Sequence, residues 1–278
     1  MEKQKIYLKK VFKTIKRARL VERGDKIFVA VSGGKDSGCA LYTLKKYCEE
    51  QAIDCEIVAF HINIGGNNSR EIEEIARKQA KFAGVELIKI NFGDYGINLG
   101  ELKKSRRAVC SICGLAKRYL MNKIPRELGA NKIATGHHLD DFLVFFFKNL
   151  LSQNFSWISK FKPRIEPGHE KMLCKIRPLF KVTRKENKEF CDCIGLPYIE
   201  APCPFISKKD RIKISRRERW YESMDLLEKR HKNFKLQLSK AIEKISKKFE
   251  ERKKLRLCKR CGEPTSEEIC GFCRIFGN

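Results

Sequence analysis

The sequence predicts an α/β fold: a parallel sheet with helices on both faces, and a small metal-dependent module at the end of the chain. Three observations carry this. Short apolar runs alternate with segments of helical period between residues 26 and 151, the spacing that βαβ units require. The first run breaks at a glycine pair inside Ser32-Gly33-Gly34-Lys35-Asp36-Ser37, and two CxxC pairs stand together near the C-terminus.

Lys3 to Leu20 sets Ile6, Val11, Phe12, Ile15 and Leu20 at helical spacing among basic residues, and reads as an amphipathic basic helix. Lys26 to Ser32 is a central strand, Ser37 to Glu50 a helix, and Glu56 to Ile62 a second strand. Ser69 to Gly84 is a helix with Glu71 and Glu73 near its start and a glycine at its end, followed by a third strand, Glu86 to Asn91. Ile112 to Leu128 is a helix, Lys132 to Gly136 a fourth strand, and Asp140 to Leu151 a helix. Residues 152–170 hold Pro163, Pro167 and Gly168 without a sustained period, so an exposed loop is expected. A strand-like piece, Lys175 to Pro178, leads to a helix at Arg184 to Ile194, a proline-flanked segment around Cys203, and basic helices over about 212–254. The expected division is a basic helix (1–25), an α/β body (26–205), a basic helical region (206–256) and a four-cysteine module (257–278).

Sixty Lys and Arg against 34 Asp and Glu give a net charge of +26, while 42% hydrophobic residues suffice for a core and exclude a disordered basic tail. No run of about 18 apolar residues is present, and the first twenty residues lack the apolar stretch of a secretory signal. A soluble, cytoplasmic protein with no membrane partner is expected. Residues 1–31 balance to +7 and residues 208–260 to +13, whereas 32–207 reach only +8. A nearly ordinary body between two basic segments is the electrostatic footprint of a polyanion binder, although lysine-rich solvated helices would give the same tally.

Ser32 to Ser37 lies where a strand ends and a helix begins, the place where open α/β sheets bind ligands. Two glycines let backbone N–H groups approach an anion, the helix N-terminus adds partial positive charge, and Lys35 adds a full one. Neither the Walker spacing nor the G-x-G-x-x-G of dinucleotide folds is present.

Thirteen cysteines in a reducing compartment read as metal chemistry before disulfides. Cys258-x2-Cys261-x8-Cys270-x2-Cys273 has the pattern of a tetrahedral Zn2+ site with four thiolates. So short a segment cannot build a useful core, so metal binding must supply most of its folding energy, and it is expected to cap the basic helices and present them to RNA. Cys110-x2-Cys113 opens a helix, and its spacing suits a redox pair, half of a zinc site, or two ligands of an iron–sulfur cluster. The other seven cysteines form no CxxC pair and read mostly as buried thiols.

The hexapeptide SGGKDS after a first strand resembles the signature of the PP-loop ATP pyrophosphatases, which cleave ATP between the α and β phosphates, usually to adenylate a carbonyl oxygen. The resemblance implies a Rossmann-like catalytic domain over 26–205 in which Ser32, Gly33, Gly34, Lys35 and Ser37 hold the pyrophosphate portion of ATP. Asp36 would organise Mg2+ or the loop. It sharpens at CSICGLAKRYLMNK from Cys110, TGHHLDD from Thr135, PCPF around Cys203 and CKRCGEPTSEEICGFCR from Cys258. In order and spacing these are similar to the TtuA-type tRNA 2-thiouridine synthetases over nearly the whole chain. That similarity implies a 4Fe-4S cluster on Cys110, Cys113 and Cys203, with the fourth iron left to bind a sulfur species. It places Lys117 near ATP, Gly136 at a nucleotide-contacting position and Asp141 as the catalytic aspartate. A lysine near the α phosphate would stabilise charge as pyrophosphate leaves, and a carboxylate beside the uracil would serve as base or metal holder. Asp140 and Asp141 are also the acids that a helix N-terminus favours. His137 and His138 could contact the nucleotide, but read first as ordinary hydrogen-bonding histidines, and Cys191 and Cys193 read as packing.

The implied partners are tRNA and a sulfur donor, whether a ubiquitin-like thiocarboxylate protein, a persulfide or sulfide, and a homodimer is compatible. The implied reaction adenylates the C2 carbonyl oxygen of a tRNA uridine and replaces that oxygen with sulfur. Two departures stand out. The family usually begins with another four-cysteine zinc module, whereas this sequence has no cysteine before Cys39, and after Asp141 it reads Phe-Leu-Val-Phe-Phe-Phe147, more apolar than usual. Rival readings are a TtcA-type 2-thiocytidine synthetase, whose cysteines are arranged differently, and a non-catalytic RNA-binding zinc protein with a regulatory ATP site.

Overall fold

The computed structural model describes residues 2–101, 107–200, 203, 205, 208–249 and 255–277, the side chains of 208–216 aside. The chain opens with α1 (Glu2–Arg17), then β1 (Lys26–Val31), α2 (Lys35–Glu50), β2 (Glu56–Asn63), α3 (Ser69–Ala83) and β3 (Leu87–Asn91). There follow α4 (Val109–Glu127), β4 (Lys132–Ala134), α5 (Leu139–Leu151), β5 (Arg164–Ile165), β6 (Cys174–Ile176) and α6 (Arg184–Ile194). Two long helices, α7 (Lys208–Arg230) and α8 (Phe234–Ser246), precede a module of β7 (Arg256–Leu257), β8 (Pro264–Thr265) and α9 (Gly271–Phe276). No helix among the described residues is long and apolar enough to cross a membrane.

The main sheet has the order β3-β2-β1-β4-β6-β5, parallel except for β5, which pairs antiparallel with β6. Successive side chains on β1 point to opposite faces. Ile27, Val29 and Val31 join one core with α1, α2, α3 and α6, while Phe28 joins Val58, Phe60, Ala116 and Leu120 in the other. The chain runs outward from β1 through β2 to β3 and then returns to β4 on β1's other side. That reversal opens a crevice beyond the carboxyl ends of β1 and β4.

Helix α1 buries Tyr7, Leu8, Val11 and Ile15 against α2 and α6 and stacks Tyr7 on Phe190 at 4.0 Å. Its lysines are therefore one face of a helix whose other face belongs to the body. Residues 152–170 are largely exposed, as expected, but they are not wholly irregular. They carry a 3-10 turn at Phe155–Lys160, bury Ile158 and Phe161, and supply the edge strand β5. A two-residue strand is too short to display a period, and the three-residue spacing of Ile158 and Phe161 belongs to a 3-10 turn. Strand β4 ends at Ala134, short of Gly136, because Thr135 to His138 leave the sheet for the crevice.

The apolar run after Asp141 is largely explained by packing. Phe142, Leu143 and Phe146 meet Met224 of α7 and Ile242 of α8, which ties the basic helices to the body. Beneath them Lys235 of α8 is buried and reaches Asp140 at 2.5 Å.

A second buried ion pair anchors the sheet. Lys132, 4% exposed, donates to Asp25 at 2.7 Å and to Glu22 at 2.8 Å. Glu22 is half-exposed, so its bond to Lys132 is the more water-screened of the two. Removing one partner of a buried pair leaves the other charge uncompensated, at a cost of about 3–5 kcal/mol. Asp25→Ala should therefore lower the urea unfolding midpoint by a corresponding amount, whereas Glu22→Ala should shift it by less than half as much.

Candidate active site

The loop after β1 is held from both sides. Gly33 has φ +74°, a left-handed conformation that favours glycine, and a Cβ there would sit 3.1 Å from the Ile72 carbonyl oxygen. The buried Gln79 amide donates to the carbonyls of Gly33, Gly34 and Pro197 at 3.3, 3.2 and 2.9 Å. Ser37 Oγ donates to the Gly34 carbonyl at 2.9 Å and accepts the Ser32 N–H at 3.1 Å. These bonds shape the loop at the N-terminus of α2, where helix polarity favours an anion.

A cavity of about 380 Å³, within the size range of small-molecule sites, extends from this loop. Ser32, Gly34, His61, Asn63, Lys117 and Cys203 are among its walls. His61 is buried, donates from Nδ1 to the Val31 carbonyl at 2.9 Å, and is pushed below the usual histidine range by that burial. Beside it lies a second cavity of about 230 Å³, lined by Cys110, Cys113, Lys117 and Cys203 with the apolar Leu99 and Phe205. Lys117 and Cys203 thus belong to both chambers.

The turn after β4 packs against the loop after β1. A Cβ on Gly136 would lie 2.7 Å from the backbone of Asp36 and Ser37, so only glycine allows this approach. Asp36 accepts from Asn187 at 2.7 Å, and Asn187 in turn accepts from Tyr7 of α1 at 2.7 Å. Lys35 pairs with Asp36 at 3.2 Å. His138 stands among three carboxylates, 3.8 Å from Asp36, 3.6 Å from Asp140 and 3.5 Å from Asp141, and its Nδ1 is buried without a hydrogen-bond partner among the described residues.

Asp141 lines neither chamber. It accepts the His138 N–H at 3.3 Å, the Tyr221 hydroxyl at 2.5 Å and the Arg217 guanidinium. Burial alone would raise its pKa. The influence of His138 and Arg217, with the Tyr221 hydrogen bond, instead lowers it to about 2.

At the C-terminus the sulfur atoms of Cys258, Cys261, Cys270 and Cys273 all lie within 4.8 Å of one another. Four thiolates around one Zn2+ at about 2.3 Å would stand roughly 3.8 Å apart, and Cys261 and Cys270 are separated by 3.7 Å. Burial would raise the Cys258 thiol, but the backbone N–H groups of Cys270, Cys261 and Arg260 bring it down to about 6. The donor set fits zinc. Among the described residues no further group of three or more metal-binding side chains is gathered so tightly. Cys110, Cys113 and Cys203 instead surround a chamber, which suits a cluster larger than a single ion.

The module packs on α4 rather than capping the basic helices. Phe272 stacks on Tyr119 at 3.9 Å, and Glu263 receives both arms of Arg126 at 2.5 and 2.9 Å. Of the two cysteines read as packing, Cys191 is buried but Cys193 is exposed. No cysteine is disulfide-bonded.

A PP-loop domain model matches residues 2–215. The tRNA-5-methyluridine(54) 2-sulfurtransferase of Pyrococcus horikoshii is 36% identical over 274 residues, covering 97% of this chain and 84% of that protein. The chain belongs to the PP-loop tRNA 2-sulfurtransferases. A second relative of the same description, from Thermus thermophilus, is 32% identical over 97% of this chain and 82% of its own. Among solved structures, the U34-tRNA thiolase NcsA from Methanococcus maripaludis, with its 4Fe-4S cluster, superposes with a TM-score of 0.80 at 23% identity, covering 98% of this chain and 87% of that one. The fold is therefore that of the family.

The structure brings the hexapeptide, Lys117, Gly136 and the three cysteines together, and it sets Asp141 apart behind His138. Sequence reasoning missed His61 and Asn63, which the sheet rule could have found at the end of β2, and it took His138 for an ordinary residue. Arg217 and Tyr221 carry no local signal. Gly136→Ala should weaken ATP binding at least tenfold with unchanged circular dichroism, because a methyl group there displaces the loop backbone; isothermal titration checks this.

Proposed function

We propose that this chain is an ATP-dependent tRNA-uridine 2-sulfurtransferase that makes 2-thiouridine, acting at position 54 of tRNA. The observation that carries the reading is the wall shared by two chambers. Lys117 and Cys203 face both the phosphate loop and the three-cysteine chamber, so an activated base and a sulfur atom can meet without crossing solvent. Position 54 is supported by the two curated relatives, each matched over 97% of this chain.

In this reading ATP lies with its phosphates on Ser32, Gly33, Gly34, Lys35 and Ser37, and Asp36 orients Mg2+ or the loop. The uracil O2 attacks the α phosphorus and pyrophosphate leaves. Lys117 opposes the negative charge that accumulates in that step, a contribution commonly worth 10²- to 10³-fold. Gly136 gives the backbone room to close against the loop. Sulfur then adds at C2 and AMP departs with the former carbonyl oxygen.

Cys110, Cys113 and Cys203 hold the 4Fe-4S cluster, which when bound supplies an iron without a protein thiolate for carrying sulfur. Val109, Leu99 and Phe205 around that chamber restrict water. Zn2+ on Cys258, Cys261, Cys270 and Cys273 folds the 257–278 module against α4, and the basic residues of 1–25 and 206–256 grip tRNA phosphates around the 26–205 body. The sulfur donor is sulfide, a ubiquitin-like thiocarboxylate protein, or a persulfide whose S–S bond a thiol reductant cleaves, and the reaction is cytoplasmic.

Asp141 has a narrower part than catalytic base. A carboxylate with a pKa of about 2 accepts protons poorly near neutrality, so its part is to orient His138 and to hold Arg217. Its folded pKa is depressed, so the stability it contributes is present above about pH 4 and is lost as the pH falls through 2. Asp141→Asn should therefore lower thiolation without moving either limb of the pH–rate profile between pH 5 and 9. An acid limb that vanishes in this variant would restore the role of base.

The direct test is an anaerobic assay with tRNA, ATP and sulfide. Lys117→Ala should cut AMP formation by about 10²-fold. Cys203→Ala should still bind ATP but lose both thiolation and the brown absorbance of the cluster. Thiolation retained by Cys203→Ala would refute the cluster role, and 2-thiouridine mapped by nucleoside mass spectrometry to position 34 would refute the site assignment.

A further inference from the structure

Asp141, Phe145 and Lys148 stand at i, i+4 and i+7 on α5, so they share one helix face. Phe142 and Phe146 are consumed by the core beneath α7 and α8, but Phe145 is 40% exposed. Its ring meets Trp157 edge-on, with centroids 5.9 Å apart at 81°, and Trp157 is itself 42% exposed. Lys160 Nζ lies 3.6 Å from the centre of that indole. Further along, the exposed Phe155 stacks on Phe249 at 6.0 Å.

Two features say what covers this strip. First, exposed rings contiguous over one face mark a binding surface rather than chance exposure. Second, the exposed charges next to the rings are basic: Lys148 on the face of Phe145 and Lys160 over Trp157. A second copy of a chain of net charge +26 would be repelled here. Aromatic rings interleaved with cations are the surface that unstacked nucleotides bind, each base on a ring and its phosphate on a lysine.

We propose that Phe145, Trp157 and Lys160 form a stacking platform for an unpaired nucleotide of the tRNA loop, one helical turn from Asp141. This rests on the tRNA reading given above and assigns it a surface. The basic helices supply sequence-independent grip on phosphates, and the platform fixes which part of the loop faces the catalytic chambers.

The chain has two tryptophans, so Trp220→Phe in the full-length protein leaves Trp157 as the sole indole. Titration with a tRNA transcript should quench its fluorescence, saturating at the concentration at which anisotropy reports binding. Trp157→Ala and Phe145→Ala should each weaken tRNA binding by roughly 5- to 150-fold without changing the slope of log Kd against log salt, and Trp157→Phe should restore most of the loss. Lys160→Ala should reduce that slope by about 1. ATP affinity should be unchanged in all of them. Salt-dependent tRNA binding with no quenching and no effect of Trp157→Ala would overturn the platform and leave the tRNA reading intact, whereas absence of any tRNA binding would defeat that reading itself. Loss of a dimer in Phe145→Ala at unaltered tRNA affinity would make the strip a self-association surface and also overturn the proposal.

Discussion

The site depends on one close approach of two backbones, the turn after β4 against the loop after β1. Gly136 is near enough to Asp36 and Ser37 that a single added carbon would collide with main-chain atoms. The approach exists because strand order reverses at β1, which leaves β1 and β4 as neighbours whose following segments diverge to opposite faces. It fixes where α5 begins, and hence that His138 stands within 4 Å of both Asp36 and Asp141. Side-chain contacts could be remade after a substitution, but a backbone contact at this distance cannot.

Helix α4 carries the second constraint. Its first turn presents Cys110 and Cys113, the next turn presents Lys117 to both chambers, and Tyr119 and Arg126 fasten its later turns to the terminal module. A helix moves as a rigid rod over such a length, so a shift at Arg126 is felt at the cysteines. The module has almost no apolar interior of its own, only Tyr119, Ile269 and Phe272 packed around its thiols. Its four thiols would draw their order from a metal ion, and the stacked Phe272 and the two-armed Glu263 pair join the module to α4. The module of four cysteines thus packs on the same helix that carries Cys110 and Cys113.

Much of this was legible in the sequence, for reasons that are local. A strand followed by two glycines, a lysine and a helix has few other uses, and two knuckles at zinc spacing fold in one way. What stayed hidden was set by distance or by averaging. Asp141 is matched with Arg217 and Tyr221 across more than seventy residues, and neither has a motif. The first helix was legible as amphipathic from the spacing of Val11, Ile15 and Leu20, but the same spacing took in Ile6, which is exposed, and passed over Tyr7 and Leu8, which are buried. Residues 152–170 looked like a loop because a two-residue strand and a 3-10 turn are shorter than the window in which any period can be recognised. The phenylalanine run read as a departure because its partners, α7 and α8, come some eighty residues later in the chain.

The placement of Arg217 also alters what the positive charge means. A tally of +13 over residues 208–260 describes attraction to a polyanion at long range, and that attraction would be satisfied by any arrangement of the same lysines and arginines on a surface. Arg217 is not so arranged. It leaves the basic helix to meet a carboxylate that is only 12% exposed, and Tyr221, one turn on, meets the same oxygen. Drawing α7 away from the body would cost Asp141 its hydrogen bonds from Arg217 and Tyr221. Helix α7 is therefore tied by these bonds to the turn after β4, and displacement at either end must be answered at the other.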